Sequence, residues 1–94
     1  MRAVRWAGPA SRQFAALDDF YRAHSPAAAD RFGDSTLSAT RFLLEHPHAG
    51  SPIERRGYRK WSVAGTPYVI LYRVENRGIG VMRVFHARQD QRLP

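Results

Sequence analysis

Apolar and polar positions alternate most regularly toward the C-terminal end of this chain. Tyr68 to Val74 is an apolar run rich in β-branched and aromatic residues, Asn76 to Gly78 supplies turn chemistry, and Ile79 to Phe85 is a second alternating run. The pattern predicts a β-hairpin followed by a polar tail. Arg73, Arg83 and His86 punctuate it at places where a core-forming strand takes apolar side chains. A sheet with one packed face and one face reserved for an acidic partner would accommodate them.

Upstream, Ala3 to Trp6 reads as a short strand with Val4 and Trp6 on one side of the pleat. Gly8-Pro9 ends it and opens a helix, since proline at the first turn loses no hydrogen bond. Phe14, Leu17 and Tyr21 recur at helical spacing, and Ser25-Pro26 marks a boundary: a hydroxyl to cap free N–H groups, then proline. A second helix runs to about Glu45 on a seam of Ala29, Phe32, Thr36, Ala39 and Leu43, with Gly33 inside it costing about 1 kcal/mol relative to alanine. His46-Pro47 stops it, because a residue before proline resists helical dihedrals. His48 to Gly57 reads as a loop and Tyr58 to Val63 as a strand. The order β-α-α-β-β-β predicts an α+β fold of one domain spanning residues 1–94, a small, mostly antiparallel sheet with the helical hairpin packed on one face.

Composition narrows the partners. The chain carries 15 Lys and Arg against 8 Asp and Glu, a net charge of +7. Residues 1–50 hold six basic and five acidic side chains, whereas residues 51–94 hold nine and three, so the field belongs to the second half. It draws in nucleic acid or an acidic protein segment without choosing between them. Fourteen of the fifteen cations are arginine, which a GC-rich coding bias also produces. The chain has no cysteine, so neither disulfides nor thiolate metal sites are available. No apolar run approaches the roughly 20 residues of a membrane span, and the N-terminus lacks the apolar segment of a secretory signal. A soluble, cytoplasmic protein is expected.

The chemical inventory is thin. His46-x-His48 has no third ligand at a recognisable spacing, so two surface histidines are expected rather than a metal site. There is no nucleophile elbow and no phosphate-cradling glycine loop, and Glu54, Glu75 and Asp90 are expected in loops or the tail, not as a catalytic acid pair. The basic set remains: Arg55, Arg56, Arg59 and Lys60 before the hairpin, and Arg73, Arg83, His86 and Arg88 on or beyond it. Arginine and histidine on a sheet can clamp phosphate and exchange a proton, the minimum for RNA cleavage through the 2′-hydroxyl.

Several strings, in this order and at these separations, resemble the ParE branch of the RelE/ParE toxin superfamily. They are the early Arg5-Trp6 strand, Ser25-Pro26-Ala27-Ala28-Ala29 at a helix start and Leu43-Leu44-Glu45-His46-Pro47 at a helix end. R-G-Y-R-K-W leading into P-Y-V-I-L-Y-R-V follows, then I-G-V-M-R-V-F-H-A-R-Q-D. The likeness runs from about Ala3 to Asp90. It implies the toxin of a type II toxin–antitoxin pair, partnered by a ribbon-helix-helix antitoxin of the ParD type. That antitoxin's acidic, amphipathic C-terminal segment would lie in a groove between the helical hairpin and the sheet, and operator DNA would be reached only through it. ParE-like members are associated with DNA gyrase, and RelE-like members cleave mRNA on the ribosome. Arg73, Arg83 and His86 fit part of a ribonuclease set, yet Lys60 is the only lysine and no tyrosine follows Tyr72. The expectation drawn from the resemblance is a gyrase-directed, non-enzymatic toxin with no cofactor and no metal, the alternative being a ribosome-dependent mRNA endoribonuclease that uses Arg73, Arg83 and His86. Arg83, His86 and Arg88 are expected at the target, and Arg55, Arg56, Arg59, Lys60 and Trp61 at the antitoxin.

Overall fold

Residues 3 to 6 form strand β1 (Ala3–Trp6), followed by helices α1 (Gly8–His24) and α2 (Pro26–Glu45). Strands β2 (Ser51–Pro52), β3 (Tyr58–Ser62), β4 (Tyr68–Glu75) and β5 (Gly78–His86) come next, followed by a 3-10 helix over Ala87–Arg92. The structure, a computed structural model, describes residues 2–92, with side chains as far as Gln89. Local chemistry sets the helix ends. The Ser25 hydroxyl accepts from the Ala28 N–H at 3.2 Å, and Pro26 starts α2. The His46 N–H donates to the Phe42 carbonyl as the last turn meets Pro47. Helix α1 begins one residue earlier than Pro9, at Gly8.

The five strands form one sheet in the order β1-β5-β4-β3-β2. Strand β1 runs parallel to β5, and every other pairing is antiparallel. The α+β arrangement is as expected, with one addition. Ser51–Pro52 lies within the predicted loop but pairs with Lys60 and Arg59 as a two-residue edge strand. Proline is tolerated there because its missing N–H faces no further neighbour.

Both helices pack on one face, called here the inner face. Ala10, Phe32, Ala39 and Leu43 meet Val63, Ile70, Tyr72, Ile79, Val81 and Val84 in the main core. An aromatic chain crosses it: Trp6 edge-on to Phe14 at 5.7 Å, Phe14 stacked on Phe32 at 5.3 Å, Phe32 edge-on to Tyr68 at 5.3 Å. Aromatic contacts of this geometry stabilise beyond their buried area. The fully buried Tyr72 donates its hydroxyl to the Pro47 carbonyl at 2.7 Å and accepts from the Gly50 N–H at 2.9 Å, tying the α2–β2 connection to the sheet. A Cβ on Gly50 would fall 2.5 Å from that hydroxyl, so no other residue fits.

The outer face is not left wholly to cations. Val69, Leu71 and Phe85 are buried there beneath Ile53 and Tyr58, forming a second, smaller core. Its make-up follows from an irregularity in β5. Leu71 pairs with Arg83 and Tyr72 with Val81, so Met82 is an extra, bulged residue. Ile79 and Val81 face inward before the bulge, and Val84 and His86 face inward after it. Arg83 and Phe85 are thereby turned outward. Beyond Trp6, β5 has no strand partner on its β1 side among the described residues, and the Gln13 side chain of α1 accepts the Val84 N–H at 2.9 Å instead.

Candidate functional site

The outer face gathers side chains from four strands. Arg73 on β4 is opposite Gly80 of β5 on one side and Tyr58 of β3 on the other. Gly80 is in turn opposite Arg5 of β1. Glu75, two residues beyond Arg73 and hence on the same face, receives both guanidinium groups. Its Oε1 accepts from Arg5 Nε at 3.0 Å, and its Oε2 accepts from Arg5 Nη2 at 2.6 Å and Arg73 Nε at 2.9 Å. The carboxylate is only 24% exposed while its two partners are about half exposed, so it lies under them. Gly80 makes the space: a Cβ there would sit 2.6 Å from Glu75 Oε2 and 2.8 Å from Arg5 Nη2. The hydrogen bonds from Arg5, reinforced by Arg73 and by both positive charges, hold the Glu75 pKa down to about 2, although partial burial pulls the other way.

Around this cluster stand the residues singled out from the sequence. Arg83 is exposed on the same face, opposite Leu71, and its side chain has no hydrogen-bond or ion-pair partner among the described residues. Lys60 also lies opposite Leu71, from β3. Arg55 covers the Tyr58 ring with its guanidinium 4.5 Å from the centroid, a cation–π contact. Arg56 is exposed in the β2–β3 loop.

The remaining residues lie elsewhere. His86 is opposite Tyr68 and on the inner face, its ring edge-on to that tyrosine at 5.5 Å, at the far end of the aromatic chain. Its Nδ1 accepts the Arg88 N–H at 3.1 Å, which fixes the start of the 3-10 helix. Burial, helped by the hydrogen bond it shares with Tyr21, pushes the neighbouring Tyr68 phenol up to about 12, so it stays protonated. Arg59 points to the inner side and donates to the Gly50 carbonyl at 2.7 Å and the His48 carbonyl at 3.2 Å, so its charge braces a loop. Trp61 stacks on Phe42 at 5.2 Å, and His46 packs on the same Phe42 at 4.7 Å. The structure thus puts Arg73 and Arg83 on one face of the sheet and His86 on the other, with the backbone of Arg88 tied to the His86 ring just beyond β5. Glu75, expected in a loop, instead ends β4, because its pairing with Gly78 carries the strand one residue past Val74. Neither it nor Arg5 was singled out from the sequence as part of such a cluster. The spacing of Arg73 and Glu75, opposite charges at i and i+2 in a strand, was the available signal for one of them.

Two troughs flank α2 where the helices meet the sheet. One, beside β1, encloses about 370 Å³ among Val4, Trp6, Phe14, Leu37, Arg41 and Leu44. The other, beside β3, encloses about 440 Å³ among Asp34, Ser38, Ala39, Phe42, Trp61 and Ala64. Leu37 and Phe42 are among the few large apolar side chains left exposed. No described helix is long and apolar enough to cross a membrane.

Comparison with known proteins fits this architecture. The model of the family described as ParE toxin of type II toxin-antitoxin system, parDE, matches residues 4–91. A protein of Sinorhizobium fredii (strain NBRC 101917 / NGR234) named "Putative toxin Y4kP" is 30% identical over 87 residues, covering 93% of this chain and 90% of that protein. Among solved structures, the chromosomal ParDE TA system from P. aeruginosa superposes with a TM-score of 0.76 at 22% identity, over 92% of this chain and 96% of that one. The E. coli DinJ-YafQ complex gives a TM-score of 0.54 at 14% identity, over 94% and 96%. With a family model spanning nearly its whole length and a fold to match, the chain belongs to the ParE toxin family of type II toxin–antitoxin systems.

Proposed function

We propose that this ParE-family toxin acts on DNA gyrase in the cytoplasm and is silenced by a ribbon-helix-helix antitoxin of the ParD type. The observation that favours this target over mRNA is the position of His86. Proton transfer to or from a ribose hydroxyl needs an acid–base group within hydrogen-bond reach of the groups that hold the phosphate. Here His86 is packed on Tyr68 behind the sheet, while Arg73 and Arg83 are in front of it. The target-binding residues in this reading are Arg83 on the outer face, His86 on the inner face at the end of β5, and Arg88 just beyond it, so the target grips the end of that strand from both sides. The expected outcome is that purified toxin blocks supercoiling of relaxed plasmid by gyrase, and that Arg83→Glu with Arg88→Glu weakens the block at least about tenfold. Normal supercoiling, together with discrete cuts in translated mRNA that vanish in His86→Ala, would overturn the assignment and point to a ribosome-dependent nuclease.

The antitoxin's amphipathic segment lies across α2 in this proposal. Its apolar side chains reach Leu37 in one trough and Phe42 in the other, and its acids meet Arg55, Arg56 and Lys60 where the segment passes round the β2–β3 edge to the outer face. Trp61 contributes the wall behind Phe42, whereas Arg59 serves through the loop it braces. Operator DNA is then contacted by the antitoxin alone. Leu37→Asp and Phe42→Asp should each weaken antitoxin capture about tenfold or more in a binding titration, without loss of thermal stability. Undiminished capture by both variants would exclude the troughs.

A further inference from the structure

We infer that Arg5 and Arg73, standing over Gly80, form an oxyanion-binding cradle on the outer face that Glu75 fills from within, and that this internal carboxylate closes the cradle to nucleic-acid phosphate. The cradle has the parts of a built anion site. Two guanidinium groups converge on one point from either side of Gly80, one from β1 and one from β4, and one of them presents two N–H groups to a single carboxylate. The floor beneath is glycine, and any side chain there would collide with the bound anion. Arg83 and Lys60 extend the positive surface along the same face. Without Glu75 this is the arrangement that holds the backbone of a single-stranded RNA.

Glu75 defeats that use by proximity. It is on the same strand as Arg73 and directly beneath Arg5, so it competes as a tethered ligand against a phosphate that must arrive from solution. The competitor stays charged, because Glu75 remains ionised throughout the physiological range. The inference does not depend on the target assigned above: failure to inhibit gyrase would leave it intact, and failure of the test below would leave gyrase as the target.

The test compares the full-length wild type with Glu75→Gln in binding a mixed-sequence 12-nucleotide RNA across a salt series. Glu54→Gln, with the same charge change at an exposed loop position, is the control. Glu75→Gln should bind about tenfold more tightly at ~0.1 M salt. Its slope against log salt should steepen by about 1.4, that of two added phosphate contacts on a single strand. Adding Arg73→Ala to Glu75→Gln should erase the gain. Should Glu75→Gln lose its fold, the wild type still decides. Titration with inorganic phosphate should shift the Arg83 Nε–H resonance and leave those of Arg5 and Arg73 in place. The inference is overturned if Glu75→Gln gains no more than Glu54→Gln, or if the gain survives Arg73→Ala. It is equally overturned if phosphate moves Arg5 and Arg73 in the wild type, or if Glu75→Gln gains affinity for an acidic peptide but not for RNA.

Discussion

Tyr72 shows how much a single buried hydroxyl organises. It satisfies a carbonyl and an N–H of the α2–β2 connection, and Gly50 is glycine because the phenol needs the room. Tyr72→Phe keeps the ring and strands both backbone groups, so stability should fall by about 1–3 kcal/mol in urea unfolding. Glu75 gives a second outcome at this scale. Its folded pKa of about 2 lies below the ordinary 4.5, so its contribution to stability is complete above pH 4.5 and disappears as pH falls toward 2. Glu75→Gln should therefore be less stable than the wild type at neutral pH, with the gap closing across that acid window. Such residue-level facts were only partly legible. The i, i+2 pairing of Arg73 with Glu75 can be read from a strand pattern, but Arg5 is 70 residues away from Glu75 and no local signal joins them. Arg59, a plausible surface cation by composition, is instead a strut, because folding brought two loop carbonyls within its reach.

The helices were the most legible elements, since Ser25-Pro26 and His46-Pro47 carry their boundaries in adjacent residues. Gly33 is the local misfit in α2. A Cβ there would meet nothing within 4 Å outside its own helix, because it borders the trough beside β1. Gly33→Ala should raise stability by about 0.5–1 kcal/mol, read as a thermal midpoint about 2–8 °C higher. The same methyl would narrow the trough, so antitoxin affinity should drop as stability rises. Strand β5 was legible as a strand but not in its facing. Simple alternation from Ile79 sends Arg83 inward and His86 outward, and the bulge at Met82 reverses both. The apolar spacing 79, 81, 84 records that slip of phase, although a single sequence gives no reason to prefer a bulge over a strand end. The two residues of β2 were read as loop because a partnered Ser-Pro edge has no pattern of its own.

Across the molecule, the excess of positive charge in residues 51–94 is distributed over both faces and the β2–β3 loop. A field that broad acts on encounter more than on any one contact. The association rate with an acidic antitoxin should fall by on the order of tenfold between ~0.05 and ~0.5 M salt, with the dissociation rate changing less, in stopped-flow measurements. The connectivity of the sheet has its own consequence. Strand β5 is the last to be synthesised, yet it sits between β1 and β4 and bonds to both. While a ribosome still holds it, the first strand has no neighbour and the inner core lacks Ile79, Val81 and Val84. A nascent chain stalled before Gly78 should be digested readily by protease, and one extended past His86 should resist. Translation thus withholds the folded toxin until its fifth strand has emerged, which gives a separately made antidote a head start.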